Sequence, residues 1–352
     1  MADALKTHWE DIVRLAYRAA VVAAGLMSGL ALATVGAFAA GPASAVGSTA
    51  QRAGGGIRVT AFIRVGKGPI AVAVNPRTDR VYVTNHYSKT MSVISGRTRT
   101  VIATIPVCTQ PAGVAVNPLS NRVYVACNVG GRVLVISGRT NRVIARIHAG
   151  AQPGGVAVNP RTDRIYVTDN TGNKVSVING RTNRVIARIA VGTFPFAVAV
   201  NPRTNRIYVT NDSPGDTVSV INGRTNKVIA AIPVQLAPEG VAVNPLTNRI
   251  YVVNDASASV TVIRGTTNKI ITTIVLGRRS QGIAINPQTS MIYVPNYASN
   301  TLSVISSRTN KVTATIRRVG SAPSAVAINP LTRAIYLTDI EGGTVSVLTS
   351  PK

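Results

Sequence analysis

Acidic and aromatic side chains are scarce in this chain, and histidine and cysteine are rarer still. The 352 residues include 12 Asp and Glu against 38 Lys and Arg, which gives a net charge of +26. Phe, Trp and Tyr make up only 4% of the residues, and there are three His and two Cys. Because metal sites and acid–base pairs need clusters of His, Cys and carboxylates, we predict no metal, no cofactor and no catalytic residue. The excess of positive charge instead predicts attraction to polyanions.

Long apolar runs are also missing, with one exception near the amino terminus. Residues 19–40 are uncharged, small and apolar, and they follow Arg14 and Arg18. Ala43-Ser44-Ala45 comes shortly afterwards and matches the pattern of a signal cleavage site. We therefore interpret residues 1–45 as an export signal and residues 46–56 as a flexible linker, which predicts a secreted or cell-envelope protein. The run is also long enough to span a bilayer, so an uncleaved anchor is the alternative.

One pattern recurs through the rest of the chain. An Asn-Pro pair occurs seven times, and the spacing between successive pairs is 42 or 43 residues. The Asn residues of these pairs are Asn75, Asn117, Asn159, Asn201, Asn244, Asn286 and Asn329. A tyrosine stands seven residues after each of them. A repeat of about 40 to 45 residues is typical of the four-stranded blade of a β-propeller.

Each repeat except the last contains four short segments rich in Val, Ile and Thr, separated by Gly, Pro and Asn, and these predict antiparallel strands A, B, C and D. Residues 57–66 resemble a D segment but follow no A, B or C segment, whereas the last repeat stops after its C segment at residues 344–348. We therefore predict an all-β, seven-bladed β-propeller over residues 57–352. Its last blade is completed by the amino-terminal strand, a closure that leaves no open sheet edge.

Two of the repeats carry the tetrapeptide Tyr-Val-Thr-Asn, at residues 82–85 and 208–211. In this the chain resembles the YVTN-type β-propeller repeat proteins of bacterial and archaeal cell envelopes, over residues 57–348. Other repeats depart from the motif, as in Tyr124-Val125-Ala126-Cys127. The resemblance implies a seven-bladed propeller in an exported or surface-layer-like setting. It implies no particular activity, because members of the family share no defined catalytic residues.

The predicted strand order sorts the charges onto two faces. The A–B and C–D turns lie on one face, which we call the turn face, and the B–C loops and D–A crossovers lie on the other, the crossover face. Twenty-one Arg and Lys fall on the turn face, with only Asp79 and Asp163 among them. We predict an anion-binding turn face, represented by Arg77, Arg97, Arg139, Arg161, Arg181, Arg203 and Arg224. Solvated turns copied by repeat duplication are the alternative.

On the crossover face, the residues that enter the A strands differ from repeat to repeat. Phe196, Glu239 and Gln281 are among them, and the crossovers before them add Phe194 and Arg279. We predict that these five residues line a small-molecule pocket at the mouth of the central channel. The alternative is that these residues differ between blades by accident. A catalytic role is not expected, because a single carboxylate makes a poor acid–base pair.

The two cysteines lie at matching ends of neighbouring repeats. Cys108 replaces the Gly that usually ends strand D, and Cys127 replaces the Asn or Asp that ends strand B of the next repeat. An even number of cysteines in an exported chain favours a disulfide. We therefore predict a Cys108–Cys127 bridge, although strand D is outermost in a blade and strand B lies nearer the axis.

The sequence thus predicts an exported, non-enzymatic binding or scaffold propeller of the cell envelope, which we expect to be a monomer. Its turn face would engage an anionic polymer, a membrane surface or a protein partner. Sequence-specific nucleic-acid binding is not expected, because the turns lack the aromatic side chains on which bases stack. The alternatives are a lyase-like propeller enzyme working at the channel mouth, a nucleic-acid-binding propeller and a purely structural envelope protein.

Overall fold

The structure is a computed structural model and describes residues 56–277 and 279–349. The predicted export signal, and the predicted linker apart from Gly56, lie outside the described residues. The described part contains 28 strands and one short 3₁₀ helix, Tyr297–Ser299. The strands form seven antiparallel four-stranded sheets, which confirms the all-β, seven-bladed propeller. Within the described ranges, no helix has the length and apolar character needed to cross a membrane.

The strands follow the repeats in order. Strand β1 (Arg58–Arg64) comes before the first complete blade. Blade 1 contains β2 (Pro69–Asn75), β3 (Arg80–Asn85), β4 (Thr90–Ser95) and β5 (Thr100–Pro106). Blade 2 contains β6 (Pro111–Asn117), β7 (Arg122–Cys127), β8 (Arg132–Ser137) and β9 (Val143–His148). Blade 3 contains β10 (Pro153–Asn159), β11 (Arg164–Asp169), β12 (Lys174–Asn179) and β13 (Arg184–Ala190). Blade 4 contains β14 (Pro195–Asn201), β15 (Arg206–Asn211), β16 (Thr217–Asn222) and β17 (Lys227–Pro233).

The remaining blades complete the ring. Blade 5 contains β18 (Pro238–Asn244), β19 (Arg249–Asn254), β20 (Ser259–Arg264) and β21 (Lys269–Val275). Blade 6 contains β22 (Ala284–Asn286), β23 (Met291–Asn296), β24 (Thr301–Ser306) and β25 (Lys311–Arg317). Blade 7 contains β26 (Pro323–Ile328), β27 (Ile335–Asp339) and β28 (Thr344–Thr349), and β1 pairs with β28 as its fourth strand. The predicted closure by the amino-terminal strand is therefore confirmed.

The burial of each strand reflects its place in the blade. The first strands of neighbouring blades pack against one another around the axis, the second and third are almost wholly buried, and the fourth alternates between exposed and covered residues, as β5 and β13 do. Such alternation is typical of a strand with one face on the core and one in water. Strand β22 has only three residues and is shorter than the other first strands. Just before it, Gly282 donates its backbone N–H to the carbonyl of Ser324 in the next blade, at 3.0 Å, and not within its own sheet.

The core lies between blades rather than inside them. In one cluster, Tyr82 and Ile105 of blade 1 pack with Val123 and Leu134 of blade 2. The seven repeated tyrosines are all at most 4% exposed, and the structure therefore places them in the core. Burial raises the pKa of every one of them; for Tyr124 the pKa reaches about 12, with the Asp163 carboxylate as a smaller cause.

A chain of side-chain hydrogen bonds also connects the blades. The Asn that ends a first strand donates from Nδ2 to the A–B turn of the following blade, as Asn159 does to Asn205 Oδ1 at 2.8 Å. Five junctions have this bond: Asn75–Asn121, Asn117–Asp163, Asn159–Asn205, Asn201–Asn248 and Asn329–Asp79. Ser290 and Arg333 occupy the acceptor position of blades 6 and 7. Among the described residues, Asn244 Nδ2 has no hydrogen-bond partner.

Candidate functional site

The A–B turns present one residue each in an equivalent backbone position, and we call these seven the tip residues. In every repeat, Oδ1 of the Asn that ends the first strand accepts the backbone N–H two residues later, at 2.9 to 3.1 Å. This Asx turn fixes the local backbone. The tip residues are Arg77, Leu119, Arg161, Arg203, Leu246, Gln288 and Leu331, and all of them are exposed.

The C–D turns form a second ring farther from the axis. Arg97, Arg139, Arg181 and Arg224 stand on these turns and are exposed. The turns are held by local hydrogen bonds, such as the one from the Arg181 N–H to Asn179 Oδ1 at 2.9 Å. The seven arginines predicted to bind anions therefore lie on one face, in an inner and an outer ring carried by ordered turns. That they bind an anion stays a prediction.

Some of the turn-face arginines have a structural role that the sequence analysis missed. The Arg that begins a second strand donates from a guanidinium N–H to a C–D turn carbonyl of the next blade, as Arg249 does to Ser307 at 2.7 Å. Five pairs are formed: Arg80–Gly138, Arg122–Gly180, Arg164–Gly223, Arg206–Gly265 and Arg249–Ser307. Each pair is separated by 58 or 59 residues. The recurrence of Arg with Gly at that separation, in four of the five pairs, was the signal that the sequence offered.

Both carboxylates of the turn face are used in the inter-blade hydrogen bonds. Asp79 Oδ1 accepts from Asn329, and Asp163 Oδ1 accepts from Asn117, each at 2.7 Å. Six of the 21 cations on this face are half-buried, namely Arg80, Arg99, Arg122, Arg164, Arg206 and Arg249. The other fifteen are exposed. The turn face is therefore a positively charged surface whose two acids are already engaged within the protein.

The five residues predicted at the channel mouth lie on the crossover face. Phe196, Glu239 and Gln281 belong to blades 4, 5 and 6 and are therefore neighbours around the mouth. Glu239 is buried, the other two are half-buried, and Gln281 Oε1 accepts a hydrogen bond from Ser324 Oγ at 3.1 Å. Phe194 is 37% exposed and Arg279 is half-buried.

The five residues predicted at the mouth include one carboxylate, Glu239, and neither histidine nor cysteine. Across the described ranges, no three His, Cys, Asp or Glu side chains come together as a metal site would need. The small-molecule pocket therefore stays a prediction.

Cys108 and Cys127 form a disulfide, with Cα atoms 5.9 Å apart. The crossover after a fourth strand bends inward, so that its Gly lies against the residue ending the second strand of the next blade. A Cβ added to Gly66 would lie 2.8 Å from the side chain of Asn85, and the same contact recurs between Gly192 and Asn211. The disulfide replaces this Gly–Asn contact between blades 1 and 2.

A cavity of about 370 Å³ lies beside the disulfide. Its apolar wall includes Val107, Val129 and Leu134, and Arg132 and Arg146 also line it. It lies between the outer parts of blades 1 and 2 and not at the channel mouth.

Asp339 ends the second strand of blade 7, where blades 1, 4, 5 and 6 have an Asn. It is fully buried, and its Oδ2 accepts hydrogen bonds from Thr344 at 2.8 Å and Ser346 at 2.7 Å. Burial raises the pKa of this carboxyl to about 7, although the hydroxyl hydrogen bonds lower it in part. The equivalent Asn85 instead donates from Nδ2 to Thr90 and Ser92.

Comparison with known proteins gives support for the fold. No protein-family model matches the chain, and no curated protein matches it. Among solved structures, it is similar to a chain of Kuenenia stuttgartiensis hydrazine synthase, with 18% sequence identity and a TM-score of 0.72. The match covers 80% of this chain and 95% of that one. At this identity the likeness shows a shared β-propeller fold and nothing about activity.

Proposed function

We propose that the protein is an exported, non-enzymatic binding module of the cell envelope, of the YVTN type, whose turn face engages an anionic partner. The observation that carries this proposal is the set of fifteen exposed cations on one face, whose only two acids accept hydrogen bonds from neighbouring blades. Two carboxylates cannot balance fifteen exposed cations, so the face keeps a large excess of positive charge. It therefore attracts negative charge from outside the molecule.

The strength of the interaction comes from the number of ion pairs formed rather than from any single ion pair. One exposed ion pair contributes only about 0 to 1 kcal/mol. A polyanion that meets many arginines at once gains from each, because the later contacts form within one complex. The A–B turns are fixed by Asx hydrogen bonds, so the cost of ordering on binding is confined to the exposed side chains. Screening by salt should weaken this interaction steeply.

The test compares two variants that lose the same charge on opposite faces. In the first, Arg97, Arg139, Arg181 and Arg224 are each replaced by Gln, which removes four exposed cations from the turn face. In the matched control, Lys67, Lys89, Arg132 and Lys174 are replaced by Gln, which removes four exposed cations from the crossover face. The full chain, kept in non-ionic detergent, is eluted from immobilised polyphosphate with a salt gradient.

We expect the turn-face variant to elute at clearly lower salt than the wild type, and the control to elute close to the wild type. Equal shifts for both variants would mean that net charge, not this face, determines binding. The proposal would also fail if the wild type were not retained.

A further inference from the structure

Three of the seven tip residues are leucines with more than half of their surface exposed. Leu119, Leu246 and Leu331 are 60%, 58% and 70% exposed. They belong to blades 2, 5 and 7, so the gaps between them around the ring are three, two and two blades. The other tips are three arginines and one glutamine. The tip residues therefore combine three well-spaced apolar side chains with three cations and no acid.

The turn itself does not require a leucine at the tip. Arg161 and Gln288 occupy the same position with the same Asx hydrogen bond, at 3.1 and 3.0 Å. A single exposed apolar side chain would need no explanation. Here three of them share one face with fifteen exposed cations and are carried on fixed turns. That combination is the pattern of a surface that meets an anionic layer with an apolar interior behind it.

The chain also enters the propeller from this face. Arg58 pairs with Thr349, which ends the third strand of blade 7 at the position of a C–D turn. The backbone then runs from Arg58 toward Arg64 and the crossover face, where the Val65 N–H donates to the carbonyl of Gly343. The described part of the chain therefore begins at the turn face.

We propose that the turn face docks on a lipid bilayer that contains anionic lipids, with Leu119, Leu246 and Leu331 entering the boundary between headgroups and acyl chains. This inference rests on the proposed function and names the partner. A soluble polyanion would satisfy the arginines but has no apolar phase for the leucines. A bilayer supplies both, because its anionic headgroups attract Arg and Lys and its interior accepts apolar side chains.

The experiment determines which face of the propeller contacts the bilayer, and it uses the full chain reconstituted in vesicles. Because both native cysteines are in the disulfide, a cysteine introduced by Leu246→Cys or Leu331→Cys can be labelled selectively with a polarity-sensitive fluorophore. The matched control is Leu236→Cys, since Leu236 is 59% exposed and lies in a crossover on the opposite face. Vesicles of phosphatidylcholine alone are compared with vesicles that also contain phosphatidylglycerol.

We expect the emission at positions 246 and 331 to shift to the blue, and a water-soluble neutral quencher to lose access there, when phosphatidylglycerol is present. Position 236 should show neither change. Adding Leu119→Ser and Leu331→Ser to the chain labelled at 246 should remove most of the shift. The same two substitutions should leave retention on polyphosphate unchanged.

Equal shifts at all three positions would overturn the inference, as would a shift that does not depend on phosphatidylglycerol. So would the absence of any shift at positions 246 and 331. If polyphosphate retention still depended on the turn-face arginines in that case, the bilayer inference alone would be wrong. If that dependence were also missing, the proposed function would fail with it.

Discussion

Asp339 shows how one residue can make a repeat protein sensitive to pH. The other blades with an Asn at this position bury an amide, which carries no charge at any pH. Blade 7 buries a carboxyl instead, and burial raises its pKa to about 7. Because the folded chain holds this proton more tightly than the unfolded chain, the contribution to stability is complete at low pH. It is lost as the pH rises from about 4, the unfolded pKa, to about 7.

We predict that Asp339→Asn makes the protein more stable at pH 8 and changes its stability little at pH 4. An Asn can donate to the hydroxyls of Thr344 and Ser346 as Asn85 does to Thr90 and Ser92. The gain at pH 8 should exceed about 1 kcal/mol, since each unit of pKa shift corresponds to about 1.4 kcal/mol. The free energy of unfolding from urea titrations at several pH values measures it.

The reverse change supplies the control. Asn85→Asp places a carboxyl at the equivalent position of blade 1 and should lower stability more at pH 8 than at pH 5. Parallel pH profiles for the wild type and Asp339→Asn would contradict the assigned role of Asp339.

Between elements, the hydrogen bonds from one blade to the next can be tested by comparing two asparagines. Asn159 and Asn244 both accept the N–H of a tip residue, at 3.1 and 2.9 Å. Only Asn159 also donates to the following blade among the described contacts. We predict that Asn159→Ala lowers the free energy of unfolding by about 1 kcal/mol more than Asn244→Ala does. Denaturant titration of both variants measures this difference, and equal losses would show that the inter-blade bond contributes nothing.

The disulfide joins the crossover that follows the fourth strand of blade 1 to the end of the second strand of blade 2. Its cysteines are 19 residues apart, and closing a loop of that size stabilises a fold by about 3 kcal/mol in the loop-entropy model. We predict that reduction lowers the free energy of unfolding by about that amount. The oxidised protein should take up no alkylating reagent in a mass measurement without reductant. Two labelled thiols in that measurement would contradict the pairing.

The strands and their closure could be predicted because the pattern is repeated seven times, so each repeat checks the others. The unmatched segment at residues 57–66 was enough to assign β1 to blade 7. The shortening of β22 could not be predicted in this way. Ser280 replaces the Pro that begins the first strand of the other blades, and the Gly282 N–H turns to the carbonyl of the next blade.

The candidate site was harder to predict from the sequence than the fold. Arg77 and Arg80 are three residues apart, yet Arg77 is exposed and Arg80 donates to a carbonyl of the next blade. A count of charges treats both as parts of a ligand surface. The leucine tips were overlooked for the opposite reason, since an apolar residue in a turn carries no signal until its exposure is known. An exposed arginine can be distinguished from one that binds the next blade only when the contacts between blades are known, and these depend on the geometry of the ring.

For the whole molecule, the separation of chemistry between faces matters more than any single residue. The turn face carries repeated Asx turns and repeated cations, whereas the crossover face carries the residues that differ between blades, such as Phe196 and Glu239. A binding surface built on the repeated side gains strength by adding similar contacts. Selectivity for one small molecule would have to come from the variable side. The two faces could therefore change independently in related proteins.

The closure of blade 7 also determines how the molecule responds to mechanical load. Arg58 and Thr349 lie side by side at one end of an antiparallel pair. A pulling force applied to these two ends would open the β1–β28 hydrogen bonds one after another, as in a zipper, and not all together as in shear. Forced unfolding depends on the rate of this first opening step. The same strand pairing that seals the ring in solution is thus the place where tension on the chain would begin to unravel it.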